Sequence, residues 1–463
     1  MKILKQVFFI TLSFIGFASC SSNVHKKIEP AIDKGKIIEN VVCKKNIETN
    51  YALYLPSAYD SANKYPIIIA FDAHGDGLKP VTLFKDQAEK FGYIVVGSNN
   101  SKNGLSWEST NAIYNSMISD IKERFSINNS RIYTAGFSGG SRVASSIAIL
   151  NGGIAGVVGF SAGFPNLNQP ITNKFDFLGV VGSSDFNFNE MSQLDKTLQT
   201  NGFKHYLKVF DGKHEWPQPE VIPDVFYWLE FCAYRKNLSS INQSVISEFE
   251  KNSKSEIELF KSKKDLFGKY LCYLKCINFL EGVSNTDVYK AKVAELEKST
   301  TIQNELKQIE ADGQKEQKLQ AFYADAMVKK EIKWWNSEVA KINGIIQKNK
   351  TNREGFLHQR VLSYLSMCGY SYSNNSLRSG QLDQAQHFIS IYAIIDPENS
   401  DPPYFQAQLF ALKNDSLNAI KSLEKAITLG FNDVNKLQND TSFSKLHSLT
   451  EFKNLVNKMN IKQ

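Results

Sequence analysis

RIYTAGFSGGSRVASSIAIL, residues 131 to 150, passes from an apolar segment through Gly136-Phe137-Ser138-Gly139-Gly140 into a pattern rich in Ala, Ser and Ile. Residues 131–135 predict a β-strand and the residues after Gly140 predict a helix. G-x-S-x-G between a strand and a helix is the nucleophile elbow, a turn so tight that side chains two positions either side of the serine must be nearly absent. Ala135, Gly136, Gly139 and Gly140 meet that demand. The turn lifts the Ser138 hydroxyl off the sheet edge, and the following helix aims its first N–H groups, including that of Gly139, at the place where an oxyanion would form.

A second match, Gly159-Phe160-Ser161-Ala162-Gly163, also follows a predicted strand. What comes next separates the two. Phe164-Pro165-Asn166-Leu167-Asn168-Gln169-Pro170 carries two prolines and turn residues and does not open a helix. Ser138 is therefore the expected nucleophile, and Ser161 is expected in a loop near it.

Outward from the elbow, strand and helix patterns alternate from about residue 40 to 235. Strands are predicted over 51–55, 67–71, 93–98, 154–160, 177–181 and 206–210, and helices over 80–91, 111–125 and 221–234. Short apolar strands separated by helices imply a mostly parallel sheet covered on both faces. Chemistry in such sheets collects beyond the carboxyl ends of the strands. A serine needs a base to take its proton, and the imidazole base needs a carboxylate to fix its tautomer. Gly182-Ser183-Ser184-Asp185 places an acid just past the strand 177–181, and Asp211-Gly212-Lys213-His214 places an imidazole just past 206–210. The chain order is Ser138, Asp185, His214. His205 precedes its strand, His25 lies near the N-terminus, and His358, His387 and His447 lie in the second half; Asp211 is the main rival acid.

AFDAHGDG, AGFSGGSR, GFSAGFP, GSSDFNF and DGKHEWP together resemble the compact α/β-hydrolases that include secreted carboxylesterases, feruloyl esterases and polyhydroxybutyrate depolymerases. The resemblance covers residues 40–235. It implies ester hydrolysis through an acyl-enzyme on Ser138, with no cofactor. His74-Gly75 is similar to the His-Gly pair of many esterases, which implies the Asp76 backbone N–H as the oxyanion donor beside Gly139. His74 itself is expected to brace that loop at the rim of the substrate site. Trp107 and Trp216 are candidates for pocket walls, with a core or exposed place as the alternative for each. The short span between Asp185 and His214 leaves little room for a lid and implies an open site.

At the N-terminus, MKILKQVFFITLSFIGFASC has Lys2 and Lys5, an apolar run, and Phe17-Ala18-Ser19-Cys20. It resembles a bacterial lipoprotein signal over 1–20, with Cys20 the lipidated residue and 21–39 a polar tether. That places the protein in the bacterial cell envelope, lipid-anchored on the periplasmic face or the cell surface. Five cysteines remain after Cys20, an odd number, and Cys272 and Cys276 stand four apart on one helix face, a geometry unsuited to a disulfide. They read as small buried apolar residues. The histidines are scattered, and neither C-x-x-C nor H-E-x-x-H occurs, so no metal site is expected. A net charge of +7 spread over 463 residues, with Lys and Glu interspersed, argues against a nucleic-acid partner.

Beyond residue 236 only helical patterns occur. Residues 236–350 are rich in Lys and Glu, with a periodic stretch over 302–346 interrupted at Gly313. Over 351–463 a repeat shows, with Ala419 standing 34 residues after Ala385. It resembles tetratricopeptide units, although Pro403 stands where an aromatic is usual, and such repeats imply a surface for a protein partner. Three readings follow. The first is a membrane-anchored esterase acting on a small-molecule or polysaccharide-linked ester. The second is a catalytically silent scaffold whose helical repeats bind a protein, and the third is a serine peptidase of the same fold.

Overall fold

The computed structural model describes residues 32–165 and 171–461. The expected signal segment, Cys20 and most of the expected tether lie outside them. An eight-stranded sheet is formed by β1 (Ile37–Val42), β2 (Asn50–Tyr54), β3 (Tyr65–Phe71), β4 (Ile94–Ser98), β5 (Ile127–Phe137), β6 (Gly156–Phe160), β7 (Asp176–Gly182) and β8 (His205–Phe210). The spatial order is β1-β2-β4-β3-β5-β6-β7-β8. β2 runs antiparallel to β1 and β4, and every pairing from β4 to β8 is parallel. All residues of β4, β6 and β7 are buried, so both faces of the sheet are covered, as continuous apolar runs require. Because β5 to β8 are parallel, the loops leaving them emerge at one edge.

Among the strands lie α1 (Leu78–Phe91), α2 (Trp107–Arg124), α3 (Gly139–Leu150), α4 (Phe188–Thr200) and α5 (Ile222–Arg235). The tether expected over 21–39 needs correction, because from Ile37 the chain is already the edge strand β1. Its mixed burial, with an irregular register between Ile38 and Val41, hides the alternation that marks a strand. Helix α4, which carries Asp195, buries only Met191 and Leu198 of its residues.

The second half is helical throughout: α6 (Gln243–Ser262), α7 (Leu266–Leu280), α8 (Asp287–Glu297), α9 (Thr300–Lys329), α10 (Ile332–Lys348), α11 (Arg353–Arg378), α12 (Leu382–Ile395), α13 (Asp401–Leu412), α14 (Ser416–Thr428), α15 (Val434–Asn439) and α16 (Thr450–Ile461). Asn242, Asp265, Asn352, Asp415 and Asp433 each cap a helix through the side chain, which accounts for the sharp starts. Gly313 does not interrupt the periodic stretch: α9 runs through it, and the chain breaks instead at Lys330. A lone glycine in a long helix costs only about 1 kcal/mol, which the packing of α9 offsets.

The expected boundaries at 235 and 350 do not separate cores. Ile246 and Phe249 of α6 and Cys276, Phe279 and Leu280 of α7 belong to the same apolar cluster as the sheet and α5. Phe279 stacks on Phe249 at 5.2 Å and meets the edges of Trp228 at 5.1 Å and Tyr206 at 5.4 Å. A second cluster runs from Tyr323 to Ile395, across residue 350. A third spans Leu377 to Met459. Everything from Lys34 onward forms one compact unit. All five cysteines of the described residues are free and buried.

Candidate active site

The elbow is built by close backbone approaches. A Cβ on Gly136 would lie 2.2 Å from the Gly140 carbonyl oxygen, and one on Gly140 would lie 2.1 Å from the carbonyl oxygen of Phe71 at the end of β3. Only glycine fits either place. Between them Ser138 is held at φ 54°, ψ −119°, a conformation rarely taken by L-residues, and its N–H donates to the Phe160 carbonyl of β6 at 2.8 Å. Ser138 is the N-cap of α3, and the next residue, Gly139, is the first of that helix. Its N–H is one of the donors that a helix start leaves unpaired.

His214, past the end of β8, reaches back over the elbow. Its Nε2 stands 2.9 Å from Ser138 Oγ and its Nδ1 stands 2.9 Å from Asp185 Oδ1. The His214 side chain is 19% exposed and Asp185 is fully buried, so water reaches the imidazole but not the carboxylate. Phe186 stacks on the imidazole at 4.1 Å and Phe137 lies tilted against it at 4.9 Å. Asp185 Oδ1 also accepts the Asn187 N–H at 2.8 Å, and among the described residues no group donates to Oδ2. Asn187 Nδ2 donates to the Ser161 carbonyl at 2.8 Å, tying the acid turn to the end of β6. Ser161 is fully buried, and its hydroxyl meets no hydrogen-bond partner among the described residues.

Trp216 must be moved from pocket wall to core. It is 7% exposed, packs against Phe84, Phe137 and Phe160, and donates its indole N–H to Asp72 Oδ2 at 2.8 Å. Two residues from His214, it fastens the histidine loop to the turn after β3. Asp72 is buried there; burial pushes its carboxyl up, but the bonds from His74 and Trp216 outweigh this and hold it below the usual carboxylate range. His74 donates its backbone N–H to Asp72 Oδ1 at 2.7 Å, with its ring Nδ1 at 3.3 Å from the same oxygen. That bond lifts the His74 imidazole above its ordinary value, while the side chain stays 82% exposed at the rim.

In the same turn, the His74 and Gly75 amides are both spent on Asp72. Those of Ala73 and Asp76 carry no intramolecular bond among the described residues, and the Asp76 carboxylate accepts the Lys79 N–H at 3.2 Å at the start of α1. Trp107 opens α2 behind its Ser106 cap and is half-buried. Asn103 is the neighbour that sequence reasoning missed. Its Oδ1 lies 1.7 Å from where a Gly139 Cβ would stand, and its N–H donates to the Ala73 carbonyl, so it links the turn after β3 to the elbow. Among the described residues, no group of three or more His, Cys, Asp or Glu side chains is placed to hold a metal ion.

The sheet order, the antiparallel second strand and the strand–turn–helix at β5 define an α/β-hydrolase sheet followed by a helix-rich C-terminal region. No family model and no curated protein matches the chain. Solved structures similar to it include an esterase from Pyrobaculum calidifontis, 12% identical, covering 43% of this chain and 86% of that one at a TM-score of 0.36. Another is an S-formylglutathione hydrolase from Staphylococcus aureus, 14% identical over 43% of this chain and 99% of the other at 0.35. A third is the feruloyl esterase module of Clostridium thermocellum, 17% identical over 41% and 88% at 0.33.

Proposed function

We propose that the protein is a serine hydrolase that cleaves carboxylic esters through an acyl-enzyme on Ser138. The observation that carries the reading is the unbroken contact from Ser138 Oγ to His214 to buried Asp185, at 2.9 Å and 2.9 Å, on a turn with a strained serine. In this scheme His214 Nε2 takes the Ser138 proton as Oγ attacks the ester carbonyl. Asp185 holds the other ring nitrogen protonated and stabilises the imidazolium that forms. The oxyanion meets the Gly139 N–H and a second amide from the turn after β3, that of Asp76 or of Ala73. One such donor is typically worth about 10²- to 10³-fold in kcat. The imidazolium then protonates the departing alkoxide, and in the second half His214 activates water to free the acid and Ser138.

The remaining assignments belong to the same proposal. Cys20 carries the lipid, the envelope is the location, and the ester is a small molecule or one linked to a polysaccharide. The helices of 351–463 act as tetratricopeptide-like units for a protein partner, and His74 and Trp107 stand at the substrate rim.

The test is a fluorophosphonate probe and a short p-nitrophenyl ester applied to the parent, Ser138→Ala and Ser161→Ala. Labelling and turnover lost in Ser138→Ala and kept in Ser161→Ala are the expected result. A parent that neither labels nor turns over would overturn the reading in favour of a silent scaffold.

A further inference from the structure

The turn that carries Asp185 is gripped from two sides. Toward the sheet, the Ser183 and Ser184 amides donate to the Phe210 and Gly212 carbonyls at 2.8 and 2.9 Å, on the segment leading to His214. Toward the helical region, the Ser183 carbonyl accepts Arg360 Nη1 at 2.6 Å, and Ser184 Oγ donates to Gln359 Oε1 at 2.6 Å. Both partners come from α11, more than 170 residues later in the chain. Arg360 spends its other edge on Glu316 of α9, with Nε at 2.8 Å and Nη2 at 2.6 Å from Oε2, and lays its guanidinium over the Phe188 ring at 4.5 Å. Arg360 is 6% exposed and Glu316 fully buried. One turn before Glu316, a Cβ on Gly313 would stand 3.5 Å from Asn189 Oδ1, so α9 also lies along the start of α4.

A guanidinium is taken out of water at high free-energy expense and persists only where its N–H groups find acceptors. Here the acceptors are split between a helix and the backbone of the acid turn, which makes Arg360 a rigid link from one to the other. The turn itself belongs to no strand or helix. We infer that α9 and α11 clamp the acid turn, with Arg360 as a positioning residue that acts on the reaction through Asp185. The inference rests on the hydrolase reading above. It gives the helical region a part in the chemistry, since displacing a reacting group by about 1 Å costs on the order of 10²-fold in rate.

Arg360→Met combined with Glu316→Leu removes both charges together, so no lone buried charge remains, and leaves the Ser183 carbonyl without its donor. Gln359→Leu is the milder second variant and decides the matter should the double replacement not fold. With p-nitrophenyl acetate, the double variant is expected to lose about 10- to 100-fold in kcat with KM within about twofold, and Gln359→Leu several-fold. Introduced into Asp185→Ala, the same replacements should change kcat by less than about twofold, because residues acting through one another are not additive. Unchanged kcat in the variants overturns the clamp. So does an equal loss in the parent and Asp185→Ala backgrounds, which is the mark of a structural effect alone. A parent without Ser138-dependent turnover overturns the hydrolase reading and the clamp with it.

Discussion

Replacing Asp185 with asparagine tests how the acid turn fixes the tautomer of His214. Asp185 Oδ1 accepts two hydrogen bonds, from His214 Nδ1 at 2.9 Å and from the Asn187 amide at 2.8 Å, and Oδ2 accepts none among the described residues. An asparagine side chain has two ways to sit. With its oxygen in the Oδ1 place it keeps both bonds and puts its NH₂ where nothing was bound. With its nitrogen there, it faces the Asn187 N–H donor to donor and leaves that amide unpaired, about 1–3 kcal/mol worse. At about 2 kcal/mol the first arrangement is preferred roughly 30-fold, since about 1.4 kcal/mol is one factor of ten. His214 therefore keeps its proton on Nδ1, and what the Asp185→Asn variant lacks is only the negative charge under the imidazolium. A charge-assisted bond exceeds a neutral one by about 1–2 kcal/mol, and the unscreened, buried position adds to this. The expected fall in kcat is about 10²-fold, well short of the roughly 10⁴-fold seen where this substitution forces the wrong tautomer. Steady-state turnover of p-nitrophenyl acetate and the rate of fluorophosphonate labelling, parent against Asp185→Asn, both report it. A loss near 10⁴-fold, equal to that of Asp185→Ala, would refute the argument that Asn187 selects the amide orientation.

Two other perturbations probe the frame around the site. Gly140→Ala sets a methyl 2.1 Å from the Phe71 carbonyl oxygen, which is backbone and cannot swing aside; destabilisation of about 3 kcal/mol or more is expected, read by thermal or urea unfolding together with loss of labelling. Trp216→Phe removes the indole donor from buried Asp72 and should destabilise by about 1–3 kcal/mol near neutral pH. Because Asp72 is held below its unfolded value, near 4, the stability its bonds supply is present above that value and fades as pH falls through the lowered one. The gap between parent and Trp216→Phe, followed by urea unfolding from about pH 7 to about pH 3, should therefore narrow at the acid end; a gap that stays constant would show that the indole bond is not what holds Asp72 down.

How much of this was legible beforehand depends on whether a residue's place is set by its neighbours in sequence. β4, β6 and β7 read clearly because a strand buried on both faces must be apolar along its whole length. That Ser138, Asp185 and His214 meet is legible because each stands just past a parallel strand, and such strands deliver their ends to one edge. β1 does not read as a strand, for it buries too few residues to print a period. The sequence leaves Trp216 between wall and core because a tryptophan beside a site histidine serves equally as either, and the choice lies with Asp72, 144 residues away. Asn103, Arg360 and Gln359 left no trace at all: a polar side chain meeting backbone across the fold has no periodicity. The boundary at 235 was drawn where strands give way to helices, a change of pattern that carries no information about which helix packs on what.

That boundary has a consequence for ancestry. Genes exchange modules most readily at junctions where few side chains interlock, and residue 235 is no such junction: Phe249 and Phe279 stack on each other, Phe279 meets Trp228 and Tyr206 edge-on, and Arg235 donates across the seam to the Phe279 carbonyl. A recombination there would leave one descendant with a bare aromatic face and the other with two helices wrapped around nothing. α6 and α7 should therefore travel with the sheet through any rearrangement, and descendants of this chain should not break at residue 235.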